Sequence, residues 1–247
     1  MWSIIEHGRN LSPEISVIVP SLNEEEYIGR TLESIANQRT SLAYEVIVSD
    51  GGSKDKTVEM AEKYARTVVC PVQNKVAQMN FAVDKANGNI LVFIDADTIL
   101  PEDYLERMYK MFRNDDELLA CGTWFKFLGK GLKIRFAELC MTLYLGFFKN
   151  LLGSPELSGC NICVRRDAFL EIGGFKDTLS EDTELSIALR KLVRGKKAGK
   201  IKYARNPKVL VSARRIEAMG FINSFVYNIQ NERKTAALSK NPNAVIK

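Results

Sequence analysis

The stretch NILVFIDADTILP, residues 89–101, runs an apolar segment straight into Asp95 and Asp97. Two unpaired carboxylates that close together repel each other, so a pair at the end of a strand calls for a cation beside it. Two chemistries use such a pair. In one, the carboxylates hold a divalent metal and, through it, a diphosphate. In the other, Asp95 is a nucleophile that carries a phosphoryl group. A solvated acidic turn is the plain structural alternative.

Further polar clusters stand where chemistry is conceivable. The segment SDGGSKDKT, residues 49–57, holds two glycines between a strand and a helix, but it is neither G-x-G-x-x-G nor a P-loop. Asp50 at its start either accepts a hydrogen bond from the N–H of a base such as uracil or guanine, or is satisfied by the backbone amides of its own turn. Glu181 and Asp182 in LSEDTELSIALRK open a predicted helix, where the macrodipole favours acids whether or not they react. Cys160 and Cys163 form a C-x-x-C with no second pair or histidine at ligand spacing, and read as small core residues rather than zinc ligands.

The elements that must position these groups alternate. ISVIVP (15–20) is a continuous β-branched run, as in a strand covered on both faces. A helix is predicted over 23–38, a strand over 44–50, and a helix over 53–65 with Ser53 as N-cap. A short strand at 67–70, a helix over 75–88 and the strand entering Asp95 follow. Strand–helix alternation predicts a parallel α/β sheet with right-handed crossovers, and such sheets bind ligands beyond their strands' carboxyl ends. Pro20 to Glu24, Asp50 to Ser53 and Asp95 to Asp97 all fall there. Beyond residue 100 the pattern predicts helices over 101–112, 131–152 and 180–193, strands over 118–128, 157–166 and 207–215, and a helical tail.

Composition sets the bounds. The 247 residues are 46% hydrophobic and 26% charged, enough for one large domain. A net charge of +5 suits an anionic substrate or membrane surface and does not mark a nucleic-acid binder. Five cysteines in largely apolar contexts, with no secretory pattern at the start, predict a reducing cytosol. No apolar run reaches the ~18 residues of a membrane span.

Five motifs now stand in order: ISVIVPSLNEEEYI, YEVIVSDGGSKDKT, ANGNILVFIDADTILP, CNICVRRDAFLEIGGF and LSEDTELSIALRK. In that order they resemble the inverting family 2 glycosyltransferases of the GT-A fold, and the chain is similar to a branch of small bacterial and archaeal members. The resemblance implies an α/β, nucleotide-diphospho-sugar transferase-like single domain with a mostly parallel central sheet flanked by helices. Residues 1–14 would be an extension and 15–215 the catalytic domain, with 15–100 its nucleotide-binding half and 101–215 its acceptor half. Residues 216–247 would be the helical tail. It further implies that Pro20, Asn23, Glu24, Asp50, Lys75, Asp95 and Ala96 contact the donor nucleotide of a UDP- or GDP-linked sugar. Asp97, with Asp95, would hold Mg²⁺ or Mn²⁺. Asp182 would be the general base, while Gly159, Asn161, Glu181, Arg214 and Arg215 would face the acceptor or the diphosphate. Leu22 stands where many members stack a tyrosine on the base, and Ser212 where some place a metal-binding histidine. The only histidine, His7, precedes every motif.

A phosphatase of the haloacid-dehalogenase kind would carry its nucleophile on the opening strand, whereas Asp95 ends the fourth, so that reading ranks behind the transferase. A non-catalytic nucleotide-sugar-binding module of the same fold is the other alternative. In GLKIRFAELCMTLYLGFFKNLL, residues Leu132, Phe136, Leu139, Leu143, Phe147 and Leu151 share one helical face, with Lys133, Arg135 and Lys149 as a basic rim. Such a helix lies in a membrane interface, covers the sheet or packs on a sister subunit in a homodimer. The first suits a lipid-phosphate acceptor and a peripheral place on the inner membrane face, and a glycan is the other acceptor class.

Overall fold

The computed structural model describes residues 12–129, 131–143 and 157–240. His7, Phe147, Lys149 and Leu151 lie outside them.

Four parallel strands form the first half of one eight-stranded sheet: β1 (Ile15–Ser21), β2 (Tyr44–Asp50), β3 (Arg66–Val69) and β4 (Ile90–Ile94), in the order β3-β2-β1-β4. All seven residues of β1 are buried, as a strand covered on both faces requires. Its register with β2 pairs Ser21 with Asp50, so the chain leaves both strands at the same edge. The helices between them are α1 (Ile28–Ala36), α2 (Thr57–Ala61) and α3 (Lys75–Val83).

The second half turns back. After the two-residue β5 (Thr98–Ile99) and α4 (Tyr104–Arg113) come β6 (Leu118–Leu128), α5 (Leu132–Leu143), β7 (Asn161–Arg165), α6 (Arg166–Glu171), α7 (Glu181–Lys196) and β8 (Lys200–Ser212). Strand β7 inserts antiparallel between β4 and β6, and β8 runs parallel to β6 while β5 pairs antiparallel on its far side. The described residues end with α8 (Arg214–Met219) and α9 (Phe221–Lys240). Alternate residues of the strands feed two cores. Val17, Val19 and Ile94 pack with α1 and α4 on one face, and Ile18 and Phe93 pack with α3, α6 and α7 on the other.

Two predicted helices start later than their patterns, for one reason. The amides of Asn23, Glu24 and Glu25 bond across to Ser53 Oγ, Thr57 Oγ1 and Asp55 Oδ2, so residues 23–27 form a pinned turn and α1 starts at Ile28. Asp55 Oδ1 accepts the Thr57 N–H, holding the loop open until α2 begins. Ser53 is therefore no N-cap; its hydroxyl donates to Asp50. Strand β8 starts at Lys200, seven residues before its predicted start. There Lys200 pairs with Glu117 at 2.7 Å and Lys202 with Asp115 at 2.6 Å, which uses part of the late basic run within the fold.

Candidate active site

Glu24 follows β1, Asp95 and Asp97 follow β4, Lys75 opens α3, Glu181 and Asp182 open α7, and Arg214 and Arg215 open α8. All eight line one cleft of about 620 Å³, together with Pro20, Ala96 and Gly159. Strand ends on one sheet edge and helix N-termini converge there, which is where ligands sit in this architecture.

The cation required beside the Asp pair is present twice. Lys75 Nζ lies 2.8 Å from Asp95 Oδ1 and 2.9 Å from Glu181 Oε1, joining the two acidic motifs through one ammonium. Desolvation works against that ammonium, but the two carboxylates outweigh it and its pKa is raised. Arg214 serves Asp97: its Nε is 3.0 Å from Asp97 Oδ2, and its fork pairs with both oxygens of Glu24 at 2.6 and 2.8 Å. Burial, then the Asp95 charge, push Asp97 up to about 6 against the pull of Arg214. The backbone of this turn is fixed as well, with the Ala96 carbonyl accepting the Thr31 hydroxyl at 2.7 Å and the Asp97 carbonyl accepting the Ser212 N–H at 3.2 Å.

Asp182 is held by three donors. Ser180 Oγ and the Thr183 N–H bond to Oδ1 at 2.7 and 2.8 Å, and the Gly159 N–H bonds to Oδ2 at 2.9 Å. Burial first, then neighbouring Glu181, raise its pKa above the usual carboxylate value. Gly159 spans the junction: a Cβ there would stand 3.5 Å from Asp182 Oδ2, 3.7 Å from Glu181 Oε1 and 3.8 Å from Lys75 Nζ.

Three residues expected at the site do other work. Asp50 is fully buried, and its carboxylate accepts the Gly52 and Ser53 N–H groups and the Ser21 and Ser53 hydroxyls. It closes its own turn and does not line the cleft. Asn23 is exposed and adopts φ 53°, its side chain capping the Lys54 N–H at 2.9 Å. Asn161 is fully buried. Its amide brackets Thr123, accepting the Thr123 N–H at 2.6 Å and donating to the Thr123 carbonyl at 3.1 Å, which stitches β7 to β6 behind the cleft.

One wall was not foreseen. Phe221, Phe225, Asn228 and Glu232 of α9 line the cleft, so the tail set apart at residue 216 encloses the site. Their spacing of four, three and four is a helical stripe visible in the sequence, but an amphipathic stripe alone does not say what it faces. Cys160 also lines the cleft, with burial raising its thiol to about 12, and Cys163 is fully buried; both pack as small core residues.

Among the described residues the lining carries six carboxylates (Glu24, Asp95, Asp97, Glu181, Asp182 and Glu232) and three cations (Lys75, Arg214 and Arg215). A diphosphate enters such a surplus of negative charge only with a cation. The oxygen donors at Asp97 and Asp95 suit a hard divalent ion. No group of three or more His, Cys, Asp or Glu side chains placed to hold a metal ion occurs among the described residues.

The parallel half-sheet with antiparallel β7, and a cleft built on paired carboxylates at the strand ends, define a GT-A fold of the nucleotide-sugar transferase class. The glycosyl transferase family 2 model matches residues 16–173, and the chain belongs to that family. It is similar to the uncharacterized glycosyltransferase YfnE of Bacillus subtilis, at 31% identity over 129 residues, covering 50% of this chain and 33% of that protein. It is also similar to the succinoglycan biosynthesis protein ExoA of Rhizobium meliloti, at 29% identity, covering 71% of this chain and 57% of that one. The chain thus spans a third to somewhat over half of these relatives. Among solved structures, a mannosyltransferase from Pyrobaculum calidifontis in complex with GDP-Man and Mn²⁺ superposes with a TM-score of 0.72 at 19% identity, covering 96% of this chain and 67% of that one. Glucosyl-3-phosphoglycerate synthase from Mycobacterium tuberculosis with Mn²⁺, UDP and phosphoglyceric acid gives 0.59 at 21%, covering 94% and 83%. Family membership removes the phosphatase reading of Asp95.

Proposed function

We propose that the chain transfers a sugar from a UDP- or GDP-linked donor to an acceptor hydroxyl or phosphate with inversion, using Asp182 as general base. The observation that carries this is the Lys75 bridge, because it brings Asp95 of the donor turn and Glu181, next to Asp182, onto one ammonium. GDP-Man, UDP and Mn²⁺ in the structural neighbours support a nucleotide-sugar donor with Mg²⁺ or Mn²⁺.

Asp97, with Asp95, would hold the metal, which when bound neutralises charge on the departing diphosphate. Lys75 and Arg215 supply fixed positive charge beside the phosphates. Where the acceptor is a hydroxyl or a singly protonated phosphate, Asp182 takes its proton as the acceptor oxygen bonds to the anomeric carbon; a fully ionised phosphate attacks without that step. The bond to the diphosphate breaks on the opposite face, and the diphosphate leaves with the electron pair. No enzyme nucleophile is needed. A raised pKa suits the base, since it strengthens proton uptake near neutral pH.

A lipid phosphate is the acceptor class that the surroundings favour over a free glycan. Leu132, Phe136, Leu139 and Leu143 of α5 are exposed, as are Ile222 and Val226 of α9, and Phe136 meets Phe221 of the cleft wall at 6.1 Å between ring centroids. An exposed apolar ridge continuous with an aromatic wall is what an acyl or prenyl chain would follow into the cleft, with the chain lying on the membrane surface. No helix among the described residues is long and apolar enough to cross a membrane.

The test is calorimetric binding of UDP, GDP, dTDP and CDP, each with Mn²⁺ and with EDTA, on wild type and Asp97→Ala. Metal-dependent binding of one nucleotide, lost in the variant, is expected. Silence across the panel would sink the reading. A non-catalytic binding module would bind the nucleotide yet show no metal-dependent donor hydrolysis or transfer.

A further inference from the structure

Arg214 already fills the place of a cation beside Asp97. Its Nη1 and Nη2 engage both oxygens of Glu24 at 2.6 and 2.8 Å, and its Nε reaches Asp97 Oδ2 at 3.0 Å. The guanidinium also lies over the Tyr27 ring, 4.9 Å from its centroid. Glu24 and Tyr27 belong to the turn between β1 and α1 and Asp97 to the turn after β4, so two turns converge on one side chain from α8. The planar fork suits a bidentate pair with one carboxylate and a bridge to a second, a geometry that an ammonium cannot reproduce.

We propose that Arg214 is a displaceable counterion: it occupies the metal position at Asp97 until a metal and a diphosphate arrive together, and then moves from Asp97 to the phosphate oxygens. The proposal rests on the donor reading above and adds an order of binding to it. A divalent ion alone must displace the guanidinium Nε from Asp97 Oδ2, and Arg214 is then left with Glu24 as its one carboxylate partner. An ion that arrives with a diphosphate brings the guanidinium a new anion, so the exchange keeps both cations paired. Metal and nucleotide therefore strengthen each other's binding, and by linkage each does so by the same factor.

Mn²⁺ titration followed by the electron paramagnetic resonance signal of the free ion tests this on the full chain. Wild type, Arg214→Gln and Arg215→Gln are compared without nucleotide and with UDP or GDP. Without nucleotide, Arg214→Gln is expected to bind Mn²⁺ about tenfold tighter than wild type. In the same nucleotide-free titration, where Arg215 has no phosphate to contact, Arg215→Gln removes the same charge from the same cleft and is expected to change Mn²⁺ affinity by less than about threefold. With the matching nucleotide, wild type gains about tenfold in Mn²⁺ affinity and Arg214→Gln gains less. Arg214→Lys keeps the charge but loses the fork, and falls between the two.

An equal rise in both glutamine variants would overturn the proposal, because the effect would then be one of net charge. No rise in Arg214→Gln would overturn it too, leaving the guanidinium no hold on the metal position. If no protein binds Mn²⁺ with any nucleotide, the donor reading itself falls and the counterion role falls with it.

Discussion

Ser180 donates its hydroxyl to Asp182 Oδ1 at 2.7 Å, from the residue two before the carboxylate it serves. Burial and Glu181 raise the Asp182 pKa above its ordinary 3.8, while Ser180 and the Gly159 N–H pull it down. A base works only when deprotonated. The rate kcat/KM therefore falls as pH drops through a pKa above the usual aspartate value, and the acidic limb of the profile lies correspondingly high. Removing a donor to the charged form raises that pKa further. A hydrogen bond to a charged group is worth about 1.5–3 kcal/mol, so Ser180→Ala is expected to move the limb up by about one to two pH units. Asp182→Asn abolishes the limb and lowers kcat by roughly 10²–10⁴-fold while nucleotide binding persists. A pH–rate series on the three proteins checks both; an unmoved limb in Ser180→Ala would remove Asp182 from the role of base.

Lys75 holds two carboxylates, so its loss is felt twice. Lys75→Met leaves Asp95 and Glu181 without their shared cation. Because the ammonium is 41% exposed, solvent screens the pair, and a loss of about 1 kcal/mol is expected. That lowers Tm by roughly 2–4 °C in a domain of this size. Adding Glu181→Gln removes one of the stranded charges and should recover part of the loss. A double-mutant cycle by thermal denaturation measures the coupling, and strict additivity would show that the bridge contributes nothing.

The sequence carried most of this fold, because a buried strand and the turn after it are written in adjacent residues. The run Ile90–Ile94 into Asp95 and Asp97 is one such case, and ISVIVP is another. What the sequence does not show is which partners the fold brings to each polar side chain. Asn161 looked like an acceptor contact until β6 placed Thr123 against it, 38 residues away. Asp50 has two readings at the sequence level, and in the structure its carboxylate is buried on the amides of its own turn. The α9 wall had a visible stripe at Phe221, Phe225, Asn228 and Glu232, but the cleft it faces exists only once β8 has returned the chain to the sheet edge.

Asn161 gives a prediction that separates structure from acceptor binding. Its side chain satisfies the Thr123 N–H and carbonyl and accepts the Thr123 hydroxyl at 3.0 Å. Asn161→Ala strands two buried backbone groups at once, which costs about 2–4 kcal/mol. Tm should fall by roughly 5–15 °C. The folded fraction should still bind nucleotide as wild type does, since the residue lies outside the cleft lining. An unchanged Tm with a raised acceptor KM would return Asn161 to the acceptor side.

The exposed ridge predicts membrane binding without loss of fold. Leu132 and Leu139 on α5 are 87% and 55% exposed, so changing them to aspartate removes little packing. Surface changes of this kind usually shift stability by no more than about 0.5 kcal/mol. On a bilayer, each change exchanges a buried leucine for a carboxylate, and an anionic surface adds repulsion. Co-sedimentation with vesicles of anionic lipid should therefore show wild type bound and Leu132→Asp/Leu139→Asp largely in the supernatant. Nucleotide binding should match in the two proteins, because neither leucine lines the cleft. Wild type that stays in the supernatant at low ionic strength would end the lipid reading of the acceptor and leave α5 covered by another part of the chain or by a second copy.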